Sequence, residues 1–144
     1  MMFWGTANPT GENGSYDGLY LRRDEISRMV LDRELLNLPV KVEHGGDAVG
    51  HVISAWQHKG RLDILIELDG AKCNAEAAVA KEFIRNAVCR ELSLGYTVDM
   101  SHSANLGVSA GKKKLSEVSI VRNGARDDCL IRACTASSTR PFKK

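Results

Sequence analysis

Glu91-Leu92-Ser93-Leu94-Gly95-Tyr96-Thr97-Val98-Asp99 alternates with a period of two. Leu92, Leu94, Tyr96 and Val98 fall on one face, which is apolar and can pack on a core. Ser93, Gly95, Thr97 and Asp99 fall on the other, which is small or polar. The stretch predicts a strand with one buried face. Ser93 sits between two bulky neighbours that point away from it, so its hydroxyl is presented to a shallow, open surface. Two readings follow: a nucleophile, or an ordinary strand serine facing solvent. Serines at strand positions are common and nucleophiles are rare, so this stretch alone favours the second.

Working outward, Asn74 predicts the N-cap of a helix from Ala75 to about Arg90. Its residues are strong helix formers, and Val79, Phe83 and Ala87 with Ala80, Ile84 and Val88 make the apolar stripe. Three strands precede it: Val40 to His44, Val49 to Trp56, and Arg61 to Leu68. Turns at Gly45-Gly46-Asp47 and at His58-Lys59-Gly60 join them into an antiparallel meander with one face buried. Alternation places Val40, Val42 and His44 on one side. Further upstream, Asp24 can cap a helix to about Leu36, stopped by Asn37 and Pro39. A Gly/Asn/Ser-rich loop over residues 8–18 and a first strand, Met2 to Ala7, complete the N-terminal part. Downstream lie a loop over residues 102–112, a strand from Lys114 to Val121, a turn at Asn123-Gly124 and a short strand from Asp128 to Ala133. The pattern predicts a mainly β protein with flanking helices: a partly open antiparallel β-barrel of about six or seven strands with two helices. Residues 1–134 are expected to form one domain and residues 135–144, small, polar and basic, a flexible tail.

Composition narrows the function classes. A chain of 144 residues buries about 68–70% of its unfolded surface, enough for one core without staples. It is 43% hydrophobic and 26% charged, and its net charge is only +2. That balance gives no field to draw nucleic acid or a membrane surface, and neither partner is expected. The apolar runs fall short of the roughly 18 residues of a membrane span. Met1-Met2-Phe3-Trp4-Gly5 lacks the basic and long apolar regions of a secretory signal. Lys112-Lys113-Lys114 is short, lacks interleaved aromatics and reads as a solvated loop end. No Gly-rich phosphate loop precedes a helix, so no nucleotide and no other cofactor is expected. Cys73, Cys89, Cys129 and Cys134 form no C-x-x-C pair; they read as reduced core residues of an intracellular protein, with one disulfide left open.

His44, His51 and His58 recur every seven residues, but strands with turns between them need not bring three side chains together. No Cys or carboxylate completes a ligand set at zinc spacing, and no metal is expected. What remains is Ser93, His44 and an acid. A serine hydroxyl becomes a nucleophile when a base takes its proton, and that base is held in one tautomer by a third group. Imidazole titrates near neutral pH in water, which makes His44 the best base. Glu117 is the best orienting acid: it shares a strand face with Leu115 and Ser119, and a carboxylate on a covered face needs a partner. The other reading of Glu117 is a solvent-facing strand residue.

Two patches together resemble one family. Leu38-Pro39-Val40-Lys41-Val42-Glu43-His44, with Ala48-Val49-Gly50-His51-Val52 after it, is similar to the segment around the first catalytic histidine of herpesvirus capsid maturation proteases, the assemblins. Glu91-Leu92-Ser93-Leu94-Gly95-Tyr96 resembles the nucleophile strand of that superfamily, most closely in the tailed-phage prohead proteases. Lys114-Leu115-Ser116-Glu117-Val118-Ser119-Ile120-Val121 resembles the phage-type segment that carries a glutamate as third member, where assemblins usually have a second histidine. Leu19 to Leu31 resembles the assemblin lead-in to the first helix. The likeness is good over residues 38–56 and 90–126, and elsewhere follows element order.

The resemblance implies a partly open β-barrel and a serine endopeptidase that processes scaffold and capsid proteins during viral capsid maturation, inside the assembling capsid in the host cell (in the nucleus for a herpes-type virus). It implies Ser93, His44 and Glu117 as catalytic residues. Its Gly-Arg-Arg oxyanion turn matches Gly124-Ala125-Arg126, so Ala125 would give a backbone N–H and Arg126 the second arginine. Assemblins dimerise through a helical region that this shorter chain is expected to lack, which leaves a homodimer open. They release themselves at Ala-Ser bonds, and this chain has one near its end, Ala136-Ser137. The alternative is a catalytically silent β-barrel that binds a partner as a scaffold.

Overall fold

The computed structural model describes residues 1–9, 21–69, 74–99, 112–124 and 129–135. Among the described residues seven strands and two helices follow one another as β1 (Met2–Asn8), α1 (Arg23–Leu31), β2 (Pro39–Val42), β3 (Gly45–His58), β4 (Arg61–Leu68), α2 (Ala75–Arg85), β5 (Glu91–Asp99), β6 (Lys112–Val121) and β7 (Ile131–Thr135). The strands form one sheet in the order β5-β6-β2-β3-β4-β1-β7. All its pairings are antiparallel except β2 with β6, which is parallel.

The sheet curls until its two ends meet. Glu91 at the start of β5 bridges Leu130 just before β7. Leu92 N–H donates to the Cys129 carbonyl at 2.7 Å, and Ile131 N–H to the Arg90 carbonyl at 2.9 Å. Beyond that bridge the barrel stays open, as the expected fold class requires. The inner faces supply the core through Phe3, Leu62, Ile64, Ile66, Val40, Val52, Leu92, Val118 and Ile120, each fully buried. Burying one such aliphatic side chain stabilises the fold by about 1.5–3 kcal/mol.

The helices close over the barrel. In α2 the Asn74 side chain accepts from Ala77 N–H at 3.1 Å, the expected cap. The helix stops five residues early, because Asn86 ends it and Ala87 turns to a φ of 56°. Its buried positions are Ala77, Ala80 and Ile84, while Val79 and Val88 stay exposed, so the expected stripe is corrected by a rotation of the helix. In α1 the start lies at Arg22, whose N–H donates to the Glu25 carboxylate at 3.0 Å, rather than at Asp24. That helix ends at Leu31, short of Leu36, where Arg33 takes a φ of 58°.

Three further expectations are corrected. The turn placed at Gly45-Gly46-Asp47 lies two residues earlier: Val42 pairs with Gly45, and Glu43 and His44 are the two-residue loop between them. The last strand is Ile131–Thr135, not Asp128 to Ala133, which carries Thr135 into the sheet. Lys113 is no loop end. It lies in β6 with its side chain fully buried, and its ammonium meets Glu25 at 2.8 Å. A buried cation of this kind is tolerated only with a partner, and that pair ties α1 to β6. Cys89 and Cys129 are buried, and the Cys129 thiol donates to the Ala7 carbonyl at 3.6 Å. Burial, with the Glu43 charge adding to it, pushes the Cys89 thiol above its ordinary value. Cys73 and the Cys134 side chain lie outside the described residues.

Candidate active site

The site is built on three neighbouring strands, β5, β6 and β2, on the face opposite the core residues Leu92, Leu94, Val118 and Ile120. In the β5–β6 ladder Ser93 stands opposite Ser119, and Gly95 opposite Glu117. Directly opposed residues in an antiparallel pair point to the same face, so these four share one patch. The register then shifts by one residue, and Tyr96 pairs with Leu115. This bulge absorbs Ser116 and turns Leu115 toward the core, where it packs with Tyr96. The sequence reading placed Leu115 and Glu117 on one face; the bulge separates them.

Gly95 is required by its neighbour. A Cβ at position 95 would overlap the Glu117 carboxylate. The glycine is the floor on which that side chain lies, and only 13% of the side chain is exposed.

His44 arrives from the β2–β3 turn. Sequence alternation put it on the Val40–Val42 face of a strand, but the strand ends at Val42. Glu43 has φ 51° and His44 has φ 60°, the pair of positive angles that a two-residue hairpin turn of type I′ requires. For residues other than glycine this costs about 1–3 kcal/mol each, and it persists only where the surroundings fix it. Here they do. Glu43 N–H donates to the Ile120 carbonyl at 3.0 Å, Arg122 N–H donates to the Glu43 carboxylate at 2.8 Å, and His44 N–H donates to Ser119 Oγ at 3.0 Å. The turn is pinned to β6, as the parallel β2–β6 pairing demands.

The result is a continuous chain of hydrogen bonds. Ser93 Oγ lies 3.0 Å from His44 Nε2, and His44 Nδ1 lies 2.7 Å from Glu117 Oε1. With the ring proton on Nδ1 donated to the carboxylate, Nε2 offers a lone pair to the serine hydroxyl. Ser119 Oγ donates to the second carboxylate oxygen, Oε2, at 2.7 Å. Ser93 is 7% exposed and the His44 side chain 45%, so the nucleophile is recessed and the base is reached from solvent. A recessed serine replaces the open one expected from the strand. A hydroxyl, a neutral imidazole and a carboxylate at these distances form the set needed to deprotonate an alcohol and stabilise the imidazolium that results.

Sequence reasoning singled out Ser93, His44 and Glu117, and the structure brings all three together. It missed Ser119, although spacing held a signal: positions 117 and 119 share a face of one strand, so a hydroxyl there can reach the carboxylate. The Glu91 carboxylate accepts Gly124 N–H at 3.1 Å, which fixes the residue before the expected oxyanion positions. Ala125, Arg126, Ala136 and Ser137 lie outside the described residues. Among the described residues no three His, Cys, Asp or Glu side chains gather as a metal site, and no helix is long and apolar enough to cross a membrane.

No protein-family model matches the chain, and no curated protein matches it. Solved structures do. The protease of Kaposi's sarcoma-associated herpesvirus, in complex with a hexapeptide phosphonate inhibitor, superposes with a TM-score of 0.60 at 16% identity; the match covers 90% of this chain and 63% of that one. Two structures of the same protease with allosteric inhibitors each give a TM-score of 0.54 at 18% identity, covering 73% and 76% of their chains. This chain thus spans under two thirds of the length of the first of these structures. The fold of this chain is similar to that of a herpesvirus protease.

Proposed function

We propose that this chain is a serine endopeptidase that processes scaffold or capsid proteins while a viral particle is assembled, acting inside the capsid in the host cell. The observation that carries the reading is the hydrogen-bonded chain from Ser93 through His44 to Glu117, with lengths of 3.0 Å and 2.7 Å. The fold supports it, since the structurally similar herpesvirus protease is inhibited by a peptide-derived phosphonate.

In the proposed reaction His44 Nε2 takes the Ser93 proton as the oxygen attacks the scissile carbonyl. Glu117 holds the Nδ1–H tautomer and balances the imidazolium charge. The imidazolium returns its proton to the leaving amine, and the C–N bond breaks to leave an acyl-serine. Water, deprotonated by the same imidazole, hydrolyses the ester. The tetrahedral oxyanion needs donors, and the reading assigns them to Ala125 N–H and Arg126; one such donor is worth roughly 10²–10³ in rate.

Digestion of a mixed peptide library tests the activity. The protein should produce new termini that Ser93→Ala does not. Identical peptide profiles from the two proteins would remove the endopeptidase reading.

A further inference from the structure

We propose that Ser119 is a positioning residue of this site, one hydroxyl that fixes the histidine and its orienting carboxylate together. The inference rests on reading Ser93, His44 and Glu117 as an acyl-transfer site.

Ser119 is fully buried on β6, opposite Ser93. A hydroxyl has one proton to give and lone pairs to accept with. His44 N–H can only donate, so at 3.0 Å the Ser119 oxygen is the acceptor. Its own proton is then committed to Glu117 Oε2 at 2.7 Å. A carboxylate that takes this proton on Oε2 has Oε1 left for the imidazole, and Oε1 is where His44 Nδ1 sits, at 2.7 Å. Every hydrogen in this cycle has one direction. The cycle links the main chain of His44, through Ser119 and Glu117, to the His44 ring, so it fixes the turn and the ring plane at once.

Both linked features need such a device. His44 holds a φ of 60°, which it does not hold by preference. Glu117 lies over a glycine, its carboxylate in the space that a side chain at position 95 would fill. A serine that only satisfied a buried amide would need the first bond and not the second. The bond to Glu117 is what makes the role one of orientation.

Ser119→Ala deletes a single oxygen and leaves the packing. The expected result is a fall of about 10–100-fold in kcat and in the rate of phosphonate labelling of Ser93, the scale of a sub-ångström to 1 Å misplacement. KM should stay within about twofold, because no substrate contact is removed. Ser119→Thr keeps a hydroxyl and should recover most of the rate. On a Glu117→Gln background, Ser119→Ala should cost less than about threefold more, since the two act as a unit. A wild-type rate in Ser119→Ala, or an equal loss on both backgrounds, overturns the proposal.

A readout without turnover separates this inference from the reading beneath it. In protein labelled with ¹⁵N-histidine, the His44 Nδ1–H should exchange slowly with water, and faster in Ser119→Ala. Unchanged exchange in the variant also overturns the proposal. If wild-type Ser93 takes no label at all, the acyl-transfer reading fails, while the exchange measurement still decides whether Ser119 orders the ring.

Discussion

Gly95→Ala should abolish the proposed activity while leaving the chain folded. Gly95 is not among the residues with positive φ, so its backbone accepts an alanine. The obstacle is the Glu117 side chain: a methyl at position 95 would stand 2.6 Å from Cδ and 3.1 Å from Cγ, and would overlap Oε1. These atoms end a flexible side chain that is already 13% exposed, so it can swing out to water. Leaving the site forfeits hydrogen bonds to a charged group, each worth about 1.5–3 kcal/mol. Renewed hydration of the carboxylate and the about 0.5–1 kcal/mol advantage of alanine over glycine in a strand offset part of that. The net cost is about 1–2 kcal/mol, against a typical total stability of about 5–15 kcal/mol. The rate should suffer far more. Disabling the acid of a serine triad costs up to roughly 10⁴-fold, because the imidazole loses its tautomer and its counter-charge. The assay pairs a thermal melt with the second-order rate of Ser93 labelling by a fluorophosphonate. A folded Gly95→Ala that labels at the wild-type rate would refute the claim that Glu117, seated on Gly95, orients His44.

Other changes probe the rest of the molecule. Ser93→Ala and His44→Ala should each abolish turnover, and the double variant should be hardly slower than either; additive losses in steady-state kinetics would argue against a shared mechanism. Glu117→Gln should lose less rate than His44→Ala, and full activity there would remove Glu117 from the site. Lys113→Met should lower stability by about 3–5 kcal/mol in urea unfolding, since it takes the ammonium from the buried Glu25 carboxylate at 2.8 Å; a change below about 1 kcal/mol would mean the pair contributes little. Trimming at Ala136-Ser137, if it occurs, should run between molecules. Thr135 pairs with Met2 and Leu130 with Glu91, so Thr135 and Ser93 lie roughly 20 Å apart along the strands, while Ala136 is one residue from its anchor. Intact mass should show active protein trimming Ser93→Ala protein, at a rate that rises with concentration; a concentration-independent rate would point to unzipping of β7 instead.

Much of the frame was legible because it is written in local periodicity. Arg61–Leu68 alternates cleanly and forms β4 with those bounds, and Asn74 caps α2 as its side chain and position require. The three site residues were legible through the resemblance, not through periodicity. What escaped depends on residues far apart. The Glu43-His44 turn carries neither Asn nor Gly, while Gly45-Gly46 just after it looks like a stronger turn signal, so alternation alone overextends the strand. The bulge at Ser116 shows in residues 114–121 only as Leu115 falling out of phase with Val118 and Ile120, yet it decides that Glu117 faces the site and Leu115 the core. Lys113 reads as part of a solvated basic run because Glu25, its partner, lies 88 residues away. Ser119 was visible as a residue, but its role exists only once the His44 turn is laid against β6.

A Ser93 nucleophile activated by His44 has a direct chemical signature. Stoichiometric labelling with a fluorophosphonate, followed by intact mass and peptide mapping, tests it most directly. One adduct per chain is expected, on Ser93, absent from Ser93→Ala and strongly slowed in His44→Ala. No adduct, or an adduct on another residue that persists in Ser93→Ala, would contradict it.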